Sequence, residues 1–162
     1  MVEIEQIDYT RLDELLGLLR ERSEWLINIG APMWNPEWLI KESFIERYNN
    51  PLCFLAKDNA NTIGGFILLE KDEIFWKDYP QENTYYIHKL VIDLKYKGQG
   101  YAGQIIKEII NYAKLAGKKR LRLDYYDDRA YLKKLYTGLG FVPVEILTMP
   151  DNVKICICEM KI

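Results

Sequence analysis

The chain has 162 residues, enough for one domain with a hydrophobic core. Its 49% apolar and 28% charged residues are the balance of an ordinary globular protein. A net charge of −2 and a pI of about 5.6 argue against nucleic acid or an anionic membrane as a partner recognised through whole-chain charge. No segment approaches the ~18 apolar residues of a membrane-spanning helix. The first residues, Met1-Val2-Glu3-Ile4-Glu5, are acidic where a signal peptide is basic, so a cytoplasmic protein is expected. Cys53 is isolated, and Cys156 and Cys158 are two apart in an alternating segment. That spacing puts both on one strand face, a poor start for a disulfide. With one histidine in the chain, a His/Cys metal site is not expected either.

No repeat, low-complexity tract or linker divides the chain, and a single domain over 1–162 is expected. Val2 to Ile7 alternates and reads as a first strand. Thr10 is placed to cap a helix whose stripe is Leu12, Leu15, Leu16 and Leu19. Asn35-Pro36 reads as an N-cap with Pro at the first helical position, opening a second helix that aligns Ile40, Phe44 and Tyr48. Leu52–Lys57 and Thr62–Glu70 are strand-like runs joined by the turn Asp58-Asn59-Ala60-Asn61. Lys71 to Asn83 is polar and reads as a loop. Thr84 to Ile92 is the next strand. The clearest helix runs from Gln99 to Ala116, with Ile105, Ile106, Ile109, Ile110 and Ala113 on one face and Gly117 to end it. A strand over Leu121–Tyr125, a short helix over Arg129–Leu139 and strands over Phe141–Thr148 and Val153–Met160 close the chain. The order β-α-α-β-β-β-α-β-α-β-β predicts an α/β fold, a mixed sheet of about seven strands with helices on both faces.

The chemistry concentrates in Leu90-Val91-Ile92-Asp93-Leu94-Lys95-Tyr96-Lys97-Gly98-Gln99-Gly100-Tyr101-Ala102-Gly103. A strand ends, a basic loop follows, and three glycines lead into a long helix. Glycine lets backbone approach a ligand, and the first turn of a helix offers unpaired N–H groups at a positive dipole end. Such a turn suits a pyrophosphate. Read literally, Gly98 to Gly103 is G-x-G-x-x-G with Asp124 about 20 residues on, the dinucleotide-binding fingerprint. Against that reading, Asp93 to Lys97 separate strand from glycine, and fewer than 60 residues remain for the rest of a doubly wound sheet.

A second reading is a resemblance. Lys97-x-x-Gly100-x-Ala102 resembles the phosphate-binding signature of the GNAT superfamily of N-acetyltransferases (Arg or Gln, two residues, Gly, one residue, Gly or Ala). Lysine in the first place is a departure that keeps the positive charge. Leu135-Tyr136-Thr137-Gly138-Leu139-Gly140-Phe141 resembles the second signature, a Tyr on a short helix followed by Gly-Phe. Arg129 stands where that superfamily often has Asn, seven residues before the Tyr. The resemblance covers roughly residues 85–144 and implies a GNAT fold with a mostly antiparallel sheet. It also implies acetyl-CoA as co-substrate, with no metal. The pyrophosphate would lie on Lys97, Gly98, Gln99, Gly100, Tyr101, Ala102 and Gly103, and the pantetheine arm would pair with backbone of Leu90, Val91 and Ile92 like an added strand.

An amine with a pKa of ~10.4 is mostly protonated at neutral pH and cannot attack a thioester, so a base, an oxyanion donor and an acid for the thiolate are needed. By the resemblance, Tyr136 is the acid and the backbone N–H of Leu90 faces the thioester carbonyl. The strand Tyr86-Ile87-His88-Lys89-Leu90 looks like that of the arylalkylamine N-acetyltransferases, which carry two histidines there; Tyr86 takes the first place and His88 the second. Imidazole titrates near ~6.5, which qualifies His88 as general base, with ordered water or a purely structural histidine as alternatives. Residues 86, 88, 90 and 92 share a face unless a bulge shifts the phase. Arg129 and Lys133, four apart, are placed to offer two cations to the phosphates. Trp25, Trp34 and Trp38, with Tyr86 and Trp76, are candidate lining for the acceptor and favour an aromatic or aliphatic primary amine of a small molecule. A non-catalytic acyl-CoA-binding domain of the same fold stays open, as does the oligomeric state, a homodimer included.

Overall fold

The computed structural model describes every residue from Met1 to Ile162. Its elements are β1 (Val2–Ile7), α1 (Leu12–Asn28), α2 (Lys41–Arg47), β2 (Leu52–Asp58), β3 (Asn61–Leu69), β4 (Thr84–Ile92), α3 (Tyr101–Leu115), β5 (Arg120–Tyr126), α4 (Ala130–Gly138), β6 (Val142–Thr148) and β7 (Lys154–Lys161). The order is the predicted one. The strands form one seven-stranded sheet in the order β1-β2-β3-β4-β5-β7-β6. Pairing is antiparallel for β1–β2, β2–β3, β5–β7 and β6–β7. It is parallel for β4–β5, whose crossover contains α3. No helix is long and apolar enough to cross a membrane.

The chain falls into two compact units, Met1–Leu68 with Lys89–Glu108, and Leu69–His88 with Ile109–Ile162. In the first, the apolar stripe of α1 (Leu12, Leu15, Leu16, Leu19) packs with Leu39, Phe44, Cys53, Leu55, Ile67 and Val91. In the second, Trp76, Tyr86, Ile155 and Ile157 form a buried cluster with Phe75, Tyr79 and Tyr126 against it. This cluster encloses a guanidinium. Arg122 is 2% exposed and lies over the Trp76 ring, 4.3 Å from its centroid. It donates to Glu159 Oε2 (2.8 Å), the Pro80 carbonyl (2.7 Å) and the Tyr86 hydroxyl (2.9 Å). A buried cation persists only with this degree of pairing.

Two local expectations are corrected. Thr10 does not cap α1. Asp8, two residues earlier, accepts from the Thr10 backbone N–H at 2.9 Å and opens a 3-10 turn over Tyr9–Arg11, after which α1 starts at Leu12. The expected second helix is split. Asn35 caps as read, accepting from Glu37 N at 3.0 Å, but only a 3-10 turn Pro36–Trp38 follows, and α2 begins afresh at Lys41. Leu39 is drawn into the core and its carbonyl accepts from Arg20 at 2.7 Å, so the helical ladder cannot continue through it. Tyr48 is left extended beyond α2, its ring tilted against Phe44 with centroids 4.8 Å apart.

Candidate active site

In the first unit, β4 ends at Ile92 and the chain turns at once. Asp93 N donates to Ile63 O (2.9 Å), and the Asp93 carboxylate accepts from Lys95 N (2.9 Å), starting a 3-10 turn over Leu94–Tyr96. Gly98 and Gly100 then take φ of +78° and +79°, and a Cβ built on either meets no atom within 4 Å. A side chain would fit in space but not in backbone conformation. The turn therefore keeps an open, side-chain-free surface beside the first residues of α3, whose leading N–H groups have no partner inside the helix. Gln99 and Lys97 are exposed; Tyr101, Ala102 and Gly103 are half-buried. The Tyr101 hydroxyl donates to Asp58 Oδ2 at 2.8 Å and fixes the start of α3. These features fit a diphosphate: open backbone, a helix N-terminus and a lysine. Replacing Gly100 by Glu adds backbone strain and a negative charge there. The expected result is a folded protein that loses CoA affinity by about 100-fold or more, read by calorimetry; unchanged affinity removes the site.

The aromatic residues of this unit stand next to cations. The Trp25 ring lies 5.2 Å from the Arg22 guanidinium and 5.1 Å from Lys97 Nζ. Trp34 lies 5.3 Å from Lys89 Nζ, and its carbonyl accepts from the Ser23 hydroxyl at 2.6 Å. Trp38 is half-exposed, with Arg47 stacked 3.6 Å from its centroid. Of the three β4 residues expected to meet the pantetheine arm, Val91 is buried in the core, Leu90 is half-buried, and the Ile92 carbonyl accepts from Arg22 at 2.6 Å. Lys89, just before them, has φ +55°. A left-handed residue interrupts the extended backbone there, so the side-chain alternation that joins Tyr86 and His88 does not carry on to Leu90 and Ile92.

In the second unit, the parallel ladder runs through Thr84↔Arg120 and Tyr85↔Leu121 to Tyr86↔Arg122. Two further steps along that register set His88 opposite Asp124, just beyond the last paired residues. Tyr86 itself is fully buried. His88 Nε2 lies 3.4 Å from Asp72 Oδ2, and suitable atoms of Asp72, His88 and Asp124 all fall within 4.8 Å of one another. Asp72 is held rigidly: its Oδ1 accepts from Ile74 N and Phe75 N, both at 2.9 Å, and its own N–H donates to Gln81 Oε1 at 2.7 Å. Burial works against its ionisation, but His88 and the two backbone N–H groups outweigh that and hold the carboxyl below its ordinary value of 3.8. It is a carboxylate at neutral pH.

Tyr136, on α4, is 8% exposed. Its ring lies 5.8 Å from Tyr125 and 6.0 Å, edge-on, from Phe141. Gly140, at φ +102°, closes α4: Gly140 N donates to Thr137 O (3.1 Å) and Phe141 N to the Tyr136 carbonyl (3.0 Å). The Tyr-Gly-Phe spacing is thus the geometry that stops the helix and swings Phe141 under the tyrosine. Burial first, then the charge of Asp124, raises the Tyr136 pKa well above its ordinary 10.0, so the hydroxyl keeps its proton. Arg129 is the N-cap of α4 rather than part of its face. Its guanidinium lies 5.3 Å from the Tyr126 ring and 3.6 Å from the Asp128 carboxylate. Lys133, one turn on, is exposed. The three cysteines are free and buried, with Cys156 and Cys158 sulfurs 3.7 Å apart on one face as expected. Burial pushes the Cys53 thiol up to about 11 and the Cys158 thiol up to about 12.

Sequence comparison decides between the two readings of the glycine turn. Residues 15–141 match the acetyltransferase (GNAT) family. The chain belongs to the GNAT acetyltransferase family. A curated relative, described as the uncharacterized N-acetyltransferase YesJ of Bacillus subtilis (strain 168), is 26% identical over 141 residues, 82% of this chain and 77% of that protein. Among solved structures, the spermidine N-acetyltransferase of Vibrio cholerae in complex with CoA and spermine superposes with a TM-score of 0.73 at 17% identity, covering 99% of this chain and 95% of that one. The ribosomal-protein-S18-alanine N-acetyltransferase of Escherichia coli gives 0.71 at 17% identity, covering 99% and 94%. The fold is the GNAT fold, and the protein is an acetyl-CoA-dependent N-acyltransferase rather than a dinucleotide-binding protein. In this GNAT chain the sequence reading passed over Asp72, which sits in a segment without periodicity. Asp124 entered that reading as the acidic residue of the dinucleotide fingerprint, not as a neighbour of His88. The parallel register of β4 and β5 carries the signal for Asp124. For Asp72 the only trace is an Asp two and three residues before the N–H groups it caps.

Proposed function

We propose that this GNAT protein transfers the acetyl group of acetyl-CoA to the primary amine of a small molecule by direct attack within a ternary complex, using residues 1–162 as one catalytic domain. The observation that carries the reading is the chemistry of the second unit. His88 stands against two carboxylates, and the ionisation of the buried Tyr136 hydroxyl is opposed by burial and by one of them, Asp124.

In this reading His88 takes one proton from the acceptor ammonium and leaves a nucleophilic amine. The Leu90 N–H faces the carbonyl oxygen as negative charge builds there. Tyr136 gives its proton to the departing thiolate, and its raised pKa keeps that proton in place until then. The turn from Lys97 to Gly103 holds the diphosphate, the backbone of Leu90, Val91 and Ile92 holds the pantetheine arm, and Arg129 and Lys133 neutralise further phosphate charge. Trp25, Trp34 and Trp38 border the acceptor, while Tyr86 supports His88 from the core. The acetyl group does not pass through cysteine, because only a thiolate is nucleophilic and burial holds the Cys53 and Cys158 thiols protonated. Three buried free thiols support a reducing, cytoplasmic setting, as a monomer or a homodimer.

Initial-rate kinetics test direct transfer. Varying acetyl-CoA at several fixed amine concentrations is expected to give intersecting double-reciprocal lines. Parallel lines, the mark of a covalent acyl-enzyme, contradict the ternary-complex reading.

A further inference from the structure

The polar segment between β3 and β4 holds a carboxylate whose two oxygens have separate duties. Asp72 is 5% exposed. Its Oδ1 accepts from the backbone N–H groups of Ile74 and Phe75, both at 2.9 Å. Its own N–H donates to Gln81 Oε1 at 2.7 Å, and Trp76, in the same segment, is fully buried. The carboxylate is therefore pinned, and its second oxygen, Oδ2, faces His88 Nε2 at 3.4 Å with both atoms sealed from solvent. That distance is within ion-pair reach and long for a hydrogen bond, as catalytic contacts often are before substrate binds. Two unprotonated atoms would set lone pair against lone pair, out of reach of water. Asp72 is ionised, its pKa held below 3.8, so it can only accept, and the proton between the two atoms belongs to Nε2.

We propose that Asp72 is a positioning residue for the reaction: by keeping the proton on Nε2 it makes Nδ1 the nitrogen of His88 that takes the acceptor's proton. The inference rests on the proposed role of His88 as base and deepens it, naming the reacting atom and what selects it. In the step, RNH3+ gives one proton to Nδ1 and becomes RNH2, while the neutral imidazole becomes an imidazolium protonated on both nitrogens. The new charge arises in a cluster with Asp72 and Asp124 whose atoms lie within 4.8 Å of one another, and the two carboxylates stabilise it. The pinned Oδ1 has a sharp consequence. In Asp72→Asn the amide oxygen has to stay on the N–H groups of Ile74 and Phe75, because an NH2 there would meet two donors. The NH2 then faces His88, Nε2 has to accept from it, and the ring proton moves to Nδ1, which must be unprotonated to act as base.

The chain has one histidine, so the 1H–15N correlations of its imidazole report on this pair without overlap. In the wild type, at a pH where the imidazole is neutral, the expected spectrum has the proton on Nε2 and Nδ1 unprotonated. Asp72→Asn is expected to move the proton to Nδ1 and to lower kcat/KM by about 10²–10⁴-fold, with CoA affinity unchanged. Asp72→Ser keeps an acceptor for the loop N–H groups but takes the carboxylate away from His88. It serves where Asp72→Asn fails to fold, with an expected loss in kcat/KM of about tenfold or more. A purely structural Asp72 would lower stability without moving the ring proton. A wild-type proton on Nδ1, an imidazole still doubly protonated at about pH 9, or Nε2–H retained in folded Asp72→Asn overturns the proposal. So does full activity in either folded variant. Full activity in His88→Gln breaks the base assignment on which the proposal rests, whereas an inactive His88→Gln together with a wild-type proton on Nδ1 breaks the proposal alone.

Discussion

Tyr136→Phe is expected to lower kcat by about 10²–10⁴-fold, the usual contribution of a general acid, while CoA binds as it does to the wild type. The change removes one hydroxyl, and the ring contacts to Tyr125 and Phe141 stay in place. Stability should therefore move by less than about 1 kcal/mol. The pH dependence has a defined sign. Burial and the nearby Asp124 charge raise the Tyr136 pKa above 10.0, so the acid stays protonated, and wild-type kcat should show no falling limb between about pH 7 and 10. A falling limb near pH 8 would mean that some other group gives up the proton. Wild-type turnover in Tyr136→Phe would mean that the thiolate leaves without help from it.

His88→Gln carries the other large effect. If the imidazole accepts the ammonium proton, kcat/KM of the wild type rises along one ionisation limb as pH increases, and the mutant loses that limb together with about 10²–10⁴-fold of its activity at neutral pH. Raising the pH then restores part of the mutant rate, because a larger share of the amine arrives already deprotonated. Superimposable pH profiles for the two proteins would exclude His88 as the titrating group and shift attention to water beside the Asp72 and Asp124 carboxylates.

Both residues were legible in the sequence, for different reasons. Tyr136 announces itself locally: Gly140 takes a conformation that glycine favours, and Phe141 follows at the spacing that the helix stop requires. The turn from Gly98 to Gly103 is local in the same way, and so were the strand and helix limits from Thr84 onward, which differ from expectation by two residues at most. What failed was decided by distant contacts. The second helix broke where Leu39 enters the core and Arg20 takes its carbonyl, and no property of residues 35–48 alone foretells that. The Arg129–Lys133 pairing assumed a helix that in fact starts one residue later, at Ala130. Asp72 belongs to a polar segment with no period to read, and only the fold brings it to His88. Its place beside His88 was beyond the reach of motif and spacing, although β4 and β5 already held the other two members of the cluster.

The central claim is acetyl transfer to an amine, and it is tested most directly by free-thiol release from acetyl-CoA across a panel of primary amines. The prediction is that CoA appears only when an accepted amine is present, in equal amount to the N-acetyl product identified by mass. A protein that binds acetyl-CoA tightly but releases no thiol with any amine would contradict the account and mark the chain as an acyl-CoA-binding domain in a GNAT fold.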